Sequence, residues 1–127
     1  MSKKMLLLFS HKLNNLQEID AIKNLKVTQF IVLPRELQQK WCNFDADLEY
    51  IDLEPFKKFL SNNLQKGDIV LVQGDFGATF SIVEFALNVG FIPVYATTKR
   101  EVVEFIEDGQ IVKKSIFKHR RFRKYGV

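Results

Sequence analysis

Four short apolar runs, spaced along the chain with helix-period segments between them, constrain the fold of this sequence more than any other feature. They occupy residues 4–9, 27–33, 68–72 and 91–96. A continuous apolar run of this length, without polar alternation, marks a strand buried on both faces of a parallel sheet. Between the first two runs, Leu13, Leu16, Ile19, Ile22 and Leu25 recur at helical spacing, so residues 13–25 read as an amphipathic helix. Pro34 closes the second strand and opens a loop or short helix through Trp41. Residues 42–55 are irregular; Asp45, Asp47, Glu49, Asp52 and Glu54 form a solvated acidic stretch without metal-ligand spacing. Pro55 suits a first helical turn, and Phe56, Phe59, Leu60 and Leu64 supply an apolar face that ends at Gly67. Residues 78–89 form a third strong helix, with Gly90 as its cap. After residue 96 the pattern changes to alternating runs at 101–106 and 111–117, joined across Asp108-Gly109, which is a hairpin signal. The expected order is β-α-β-α-β-α-β and then a β-hairpin. That is an α/β fold, Rossmann-like, with a mostly parallel sheet and helices on both faces.

The length of 127 residues fits one domain, and 46% apolar against 27% charged residues excludes a disordered chain. The apolar runs are too short to span a bilayer. The N-terminal apolar stretch is only residues 5–9 and leads into a polar amphipathic segment, unlike a signal peptide. The single cysteine, Cys42, excludes an internal disulfide or a CxxC site; beside Trp41 it reads as buried and inert. The expectation is a soluble, cytoplasmic protein with no metal and no cofactor.

The net charge of +4 is distributed unevenly. Residues 113–127 hold seven basic side chains, Arg121 and Arg123 among them, and no acidic one; Phe117, Phe122 and Tyr125 lie between them. Basic and aromatic residues interleaved in this way suit phosphate and base contacts, or else make a solubilising tail. His119 sits in this segment and is expected to meet phosphate or solvent.

In open α/β sheets ligands bind beyond the carboxyl ends of the parallel strands. Ser10 and His11 follow the first strand, Gln73, Gly74 and Asp75 the third, and Thr97, Thr98, Lys99 and Arg100 the fourth. The block Gly74-Asp75-Phe76-Gly77-Ala78-Thr79 passes from strand to helix, where free N–H groups at 78–81 can hold an anion. It is neither a Walker loop nor a full GxGxxG. Asp75 either caps the helix or points at a ribose hydroxyl. The 97–100 cluster offers two hydroxyls and two cations, suited to a phosphodiester or to a solvated turn. His11 is a general acid or base, a phosphate ligand, or a polar loop residue.

Three blocks, LLLFSHKL, VLVQGDFGATFSIVEFALNVGFIPVYATTKREV and IFKHRRFRKYG, resemble small stand-alone CRISPR-associated proteins related to the CARF domain of type III systems. The resemblance runs from residue 5 to about 125 and is most specific at QGDFGAT and YATTKR. It implies one CARF-like domain over 1–127, a homodimer, and a cyclic oligoadenylate ligand, with neither a membrane nor DNA as partner. Some members are ring nucleases, which cut cyclic tetra-adenylate to linear dinucleotides and so end an antiviral signal. By resemblance the ligand positions are Ser10, His11, residues 73–79 and residues 97–100. On this view Lys99 or Arg100 stabilises charge on the reacting phosphorus, His11 moves the proton, and the basic C-terminal segment folds over the ring as a lid. Two other expectations stand beside the ring nuclease: a binder that does not cut, and an RNA-binding protein or RNase that uses the basic segment.

Overall fold

The computed structural model describes residues 2–126. Its strands and helices follow the apolar runs closely. In chain order they are β1 (Lys3–Leu8), α1 (Asn15–Asn24), β2 (Val27–Val32), α2 (Arg35–Cys42), α3 (Glu54–Asn63), β3 (Ile69–Val72), α4 (Phe76–Val89), β4 (Ile92–Glu107) and β5 (Gln110–Lys124). One five-stranded sheet has the order β2-β1-β3-β4-β5. β1 pairs in parallel with β2 and β3, and β3 with β4, while β5 returns antiparallel to β4. The chain is therefore an α/β protein. No helix among the described residues is long and apolar enough to cross a membrane.

The strand alternation divides the core in two. Leu6, Leu8, Val70 and Val72 face Trp41, Phe56, Leu60, Ala78, Ile82 and Ala86 of α2, α3 and α4. Met5, Leu7, Ile69, Leu71 and Val94 face the other way, toward Ala21 of α1 and Phe122 of β5. All four residues of β3 are fully buried, as a central parallel strand requires.

α1 departs from expectation. It turns Gln17 and Ala21 inward and leaves Leu16, Ile19 and Ile22 half-exposed. The small Ala21 lets the helix lie close on the sheet. Gln17 is satisfied in a capping box with Asn14, at 2.9 and 3.0 Å. Cys42 is exposed, not buried, because Trp41 takes the inward position on α2. α4 begins at Phe76, two residues earlier than expected.

The largest difference concerns the C-terminal third. The fourth run and the hairpin are one continuous structure: β4 extends to Glu107 and pairs with β5 along its length. Thr97-Thr98-Lys99-Arg100 therefore lies within a strand and does not end one. Threonine favours strands, and no Gly or Pro interrupts the segment. The turn itself is as expected, with positive φ at Asp108 (51°) and Gly109 (76°), the geometry of a type I′ hairpin. The basic segment is likewise no free lid or tail, since residues 116–124, apart from the bulged Arg120, pair with β4. The His119 side chain does not meet solvent: the bulge opposite Thr97/Thr98 turns it inward, and its Nε2 lies 2.7 Å from Asp20 of α1.

Candidate functional site

β1 connects to β2 on one side, and the chain then crosses to β3 on the other. The carboxyl ends of β1 and β3 thus flank the sheet's switch point, where α/β proteins open a crevice. A cavity of about 350 Å3 lies there. Ser10 lines it from β1, Gly74 and Asp75 from β3, and residues 41–44 from the end of α2.

Gln73 organises this crevice. Its amide donates to the Leu8 carbonyl (3.0 Å) and its carbonyl accepts from the Trp41 indole (2.9 Å). Its side-chain oxygen accepts from the Ala96 amide at 2.7 Å. One residue thereby ties β1, α2 and β4 to the end of β3. Gly74 is required by the same packing, because a Cβ there would come within 2.8 Å of the Trp41 Nε1. Trp41 packs edge-on against Phe44 and Phe56 in turn.

Asp75 is the N-cap of α4; its carboxylate accepts from the Ala78 amide at 2.9 Å. This settles its local role and shifts the free donors. The Ala78 and Thr79 amides are occupied, so the free donors at this helix end are those of Phe76 and Gly77 rather than 78–81. Gly77 faces open space apart from Asp75 Oδ1, 3.5 Å from an added Cβ. The Phe76 ring is 94% exposed beside these donors, open to stacking by a ligand. The Thr79 hydroxyl is buried without a partner among the described residues.

Strand alternation splits the 97–100 cluster. By register Tyr95, Thr97 and Lys99 share the face covered by α4, whereas Thr98 and Arg100 share the face covered by α1. The Thr97 hydroxyl donates to the Arg121 carbonyl (2.9 Å) and accepts from its amide (3.2 Å). Arg100 Nε donates to the Ser115 hydroxyl at 3.0 Å. Arg123 lies on the α4 side, held against Tyr95 by a 3.1 Å bond to its hydroxyl and a cation–π contact of 5.5 Å. Tyr95 stacks on Tyr125, whose hydroxyl donates to the Val72 carbonyl at 2.7 Å. Burial, and then the neighbouring Tyr95, push the Tyr125 hydroxyl above its ordinary pKa.

The expected residues thus fall into three groups. Ser10, Gln73, Gly74, Asp75, Phe76 and Gly77 surround the crevice, with Ala78 and Thr79 behind them in α4. Thr97, Lys99 and Arg123 share the α4 face of β4 and β5, outside the residues that line the crevice. His11 lines a neighbouring cavity, Arg100 and Thr98 face the other side of the sheet, and Arg121 lines a polar hollow with Asp20 and Asn24. Sequence reasoning missed Trp41, Asn43 and Phe44, because nothing in the spacing of α2 placed its end beside Gly74.

The fold and this crevice define an α/β protein with a cavity at the switch point of its sheet. The chain belongs to the family described as the uncharacterized protein MJ1673 family, whose model matches residues 3–123. It is 52% identical over 124 residues to the protein MJ1673 of Methanocaldococcus jannaschii, with 96% of each chain covered. No solved structure matches the chain.

Proposed function

We propose that the chain is a Rossmann-like, CARF-like ring nuclease that binds cyclic tetra-adenylate and linearises it. The observation that carries this reading is the switch-point crevice with free helix amides at Phe76 and Gly77; Lys99 and Arg123 lie on the α4 face of the neighbouring strands. Unpaired amides at a helix N-terminus bind phosphate oxygens, and nearby cations add to that field. The exposed Phe76 ring offers an adenine a stacking surface.

The chemistry needs little from the protein. A ribose 2′-hydroxyl loses its proton and attacks the adjacent phosphorus. The bond to the 5′-oxygen breaks, that oxygen takes a proton, and a 2′,3′-cyclic phosphate remains. The site must hold the 2′-oxygen in line with the leaving oxygen. It must also stabilise the added negative charge on the phosphorane, the task of Lys99 and the two amides. Two cuts in a symmetric ring give two identical dinucleotides, and a two-fold dimer presents two equivalent sites.

The ribbon formed by β4 and β5 supports a second copy. Residues 96–107 of β4 run past the end of β3, a projection of about 40 Å. Val102, Val103, Phe105, Ile106, Ile111 and Phe117 are exposed on it. A two-stranded ribbon without a covering layer is marginal in water, so a partner chain that covers this one is the economical solution.

One observation favours binding without cleavage as the second reading. His11 and Arg100 do not face the crevice, so the residue expected to move the proton and one of the two expected to stabilise the phosphorane are absent from its lining. Isothermal titration with cyclic and linear tetra-adenylate at low and moderate salt tests the ligand. Selective, weakly salt-dependent binding of the ring supports the account. Equal affinity for the linear strand, with a steep salt slope, would identify an RNA binder instead.

A further inference from the structure

A second cavity, about 570 Å3, opens on the other side of the loop that follows β1. It falls in the size class of small-molecule sites, about 300–1,000 Å3. Its walls are apolar and partly aromatic: Phe9, Leu13, Phe30 and Val32. Its lining also carries the cations Lys12 and Arg35 against the single carboxylate of Glu18, together with His11. Core packing does not explain it, since Val32 is 69% exposed within it.

We propose that this cavity is a purine-base pocket for a nucleotide ligand whose phosphate lies at the crevice. The inference rests on the nucleotide reading above and adds a second contact region to the same ligand. Three features carry it. The apolar walls and the cations of the lining match a flat heterocycle joined to an anion. The two openings are one residue apart in sequence, for Ser10 lines the crevice and His11 the cavity. A ligand can therefore cross that loop with its base on one side and its phosphate on the other. The loop is also held rigid. Gln38 donates to the Phe9 carbonyl at 2.8 Å, and His11 packs edge-on to Phe9 at 5.5 Å. Gln39 lines the same cavity, and a glutamine amide can pair with both polar atoms of an adenine edge.

The test uses Val32→Trp, which fills the cavity from an exposed position on an edge strand and leaves the core untouched. Wild type and variant are titrated with adenosine 5′-monophosphate, uridine 5′-monophosphate and cyclic tetra-adenylate, with melting temperature and solution mass measured alongside. The expected result is an unchanged melting temperature, no detectable adenosine monophosphate binding, and about ten-fold or greater loss for the ring. Arg35→Ala should weaken both ligands by a smaller factor. Full ring affinity in Val32→Trp overturns the pocket and leaves the ring-nuclease reading standing. Adenosine monophosphate bound by wild type and lost in the variant, with no ring binding by either, supports the pocket and removes that reading. Equal affinity for the uridine nucleotide, or a change of solution mass in the variant, overturns a purine pocket in favour of an unselective or a protein-contact surface.

Discussion

Replacing Gly77 by alanine separates loss of ligand from loss of fold. Gly77 is the second residue of α4, and an added Cβ meets only the Asp75 carboxylate oxygen, at 3.5 Å, which is ordinary contact. The substitution adds no clash and removes freedom from the unfolded chain, so it stabilises by about 0.4–1 kcal/mol. The melting temperature should rise by a few degrees in a domain of this size. In a helix the Cβ tilts toward the N-terminus. At Gly77 that direction leads toward the first turn of α4, where the account places a phosphate oxygen. Losing one hydrogen bond to a charged group costs about 1.5–3 kcal/mol, or about 10–150-fold in affinity. The assay is paired: thermal melting for the fold, and isothermal titration with cyclic tetra-adenylate for the site. A variant at least as stable as wild type that binds the ring with undiminished affinity would refute the amide site. Gly74→Ala is the control in the other direction. Its Cβ would come within 2.8 Å of Trp41 Nε1, and Trp41 is only 2% exposed, so the indole must move. That variant should melt lower, by about 1–3 kcal/mol of stability, and bind poorly for both reasons.

Lys99→Ala should weaken ring binding about ten-fold, whereas Arg100→Ala, on the other face, should change it by less than about two-fold; titration of both variants checks the division of that pair. The proposed dimer predicts a two-chain mass for wild type in light scattering after size exclusion and a one-chain mass for Phe117→Asp; an unchanged mass would remove the ribbon from the interface. Burial raises the Asp20 pKa, but hydrogen bonds from Asn24 and His119, the His119 charge and the Phe122 amide outweigh it, so the net shift is downward. A lowered folded-state pKa stabilises above the ordinary carboxylate value and is lost as pH falls through the lower folded value. Asp20→Asn should therefore melt lower at neutral pH, by about 1–3 kcal/mol, and show a shallower fall in stability on acidification; parallel melting curves would contradict the pairing with His119.

The sequence showed the parallel core clearly because the residues of β1 and β3 are apolar on both faces and admit no other placement. It was less informative where one segment satisfied two patterns. Leu16, Ile19 and Ile22 carry a helical period, yet α1 lies on the sheet through Ala21, since close approach counts for more there than apolar area. Thr97–Arg100 follows an apolar run and reads as its end, although two threonines and no breaker residue let the strand continue. Periodicity could not show that consequence: adjacent strand residues face opposite ways, so Lys99 and Arg100 are separated. The crevice was half legible. Gly74 and Asp75 were visible as a strand-to-helix turn, but the Trp41 wall depends on a contact across 33 residues that spacing alone does not reveal. His119 was misplaced because a bulge shifts the register of β5, and nothing in the residue order announces it.

The most direct test of the ring-nuclease account is incubation of the protein with cyclic tetra-adenylate in the presence of EDTA, followed by mass spectrometry of the products. The account predicts linear diadenylates ending in 2′,3′-cyclic phosphate, formed by wild type and strongly reduced in Lys99→Ala. An intact ring after prolonged incubation with saturating protein would contradict it.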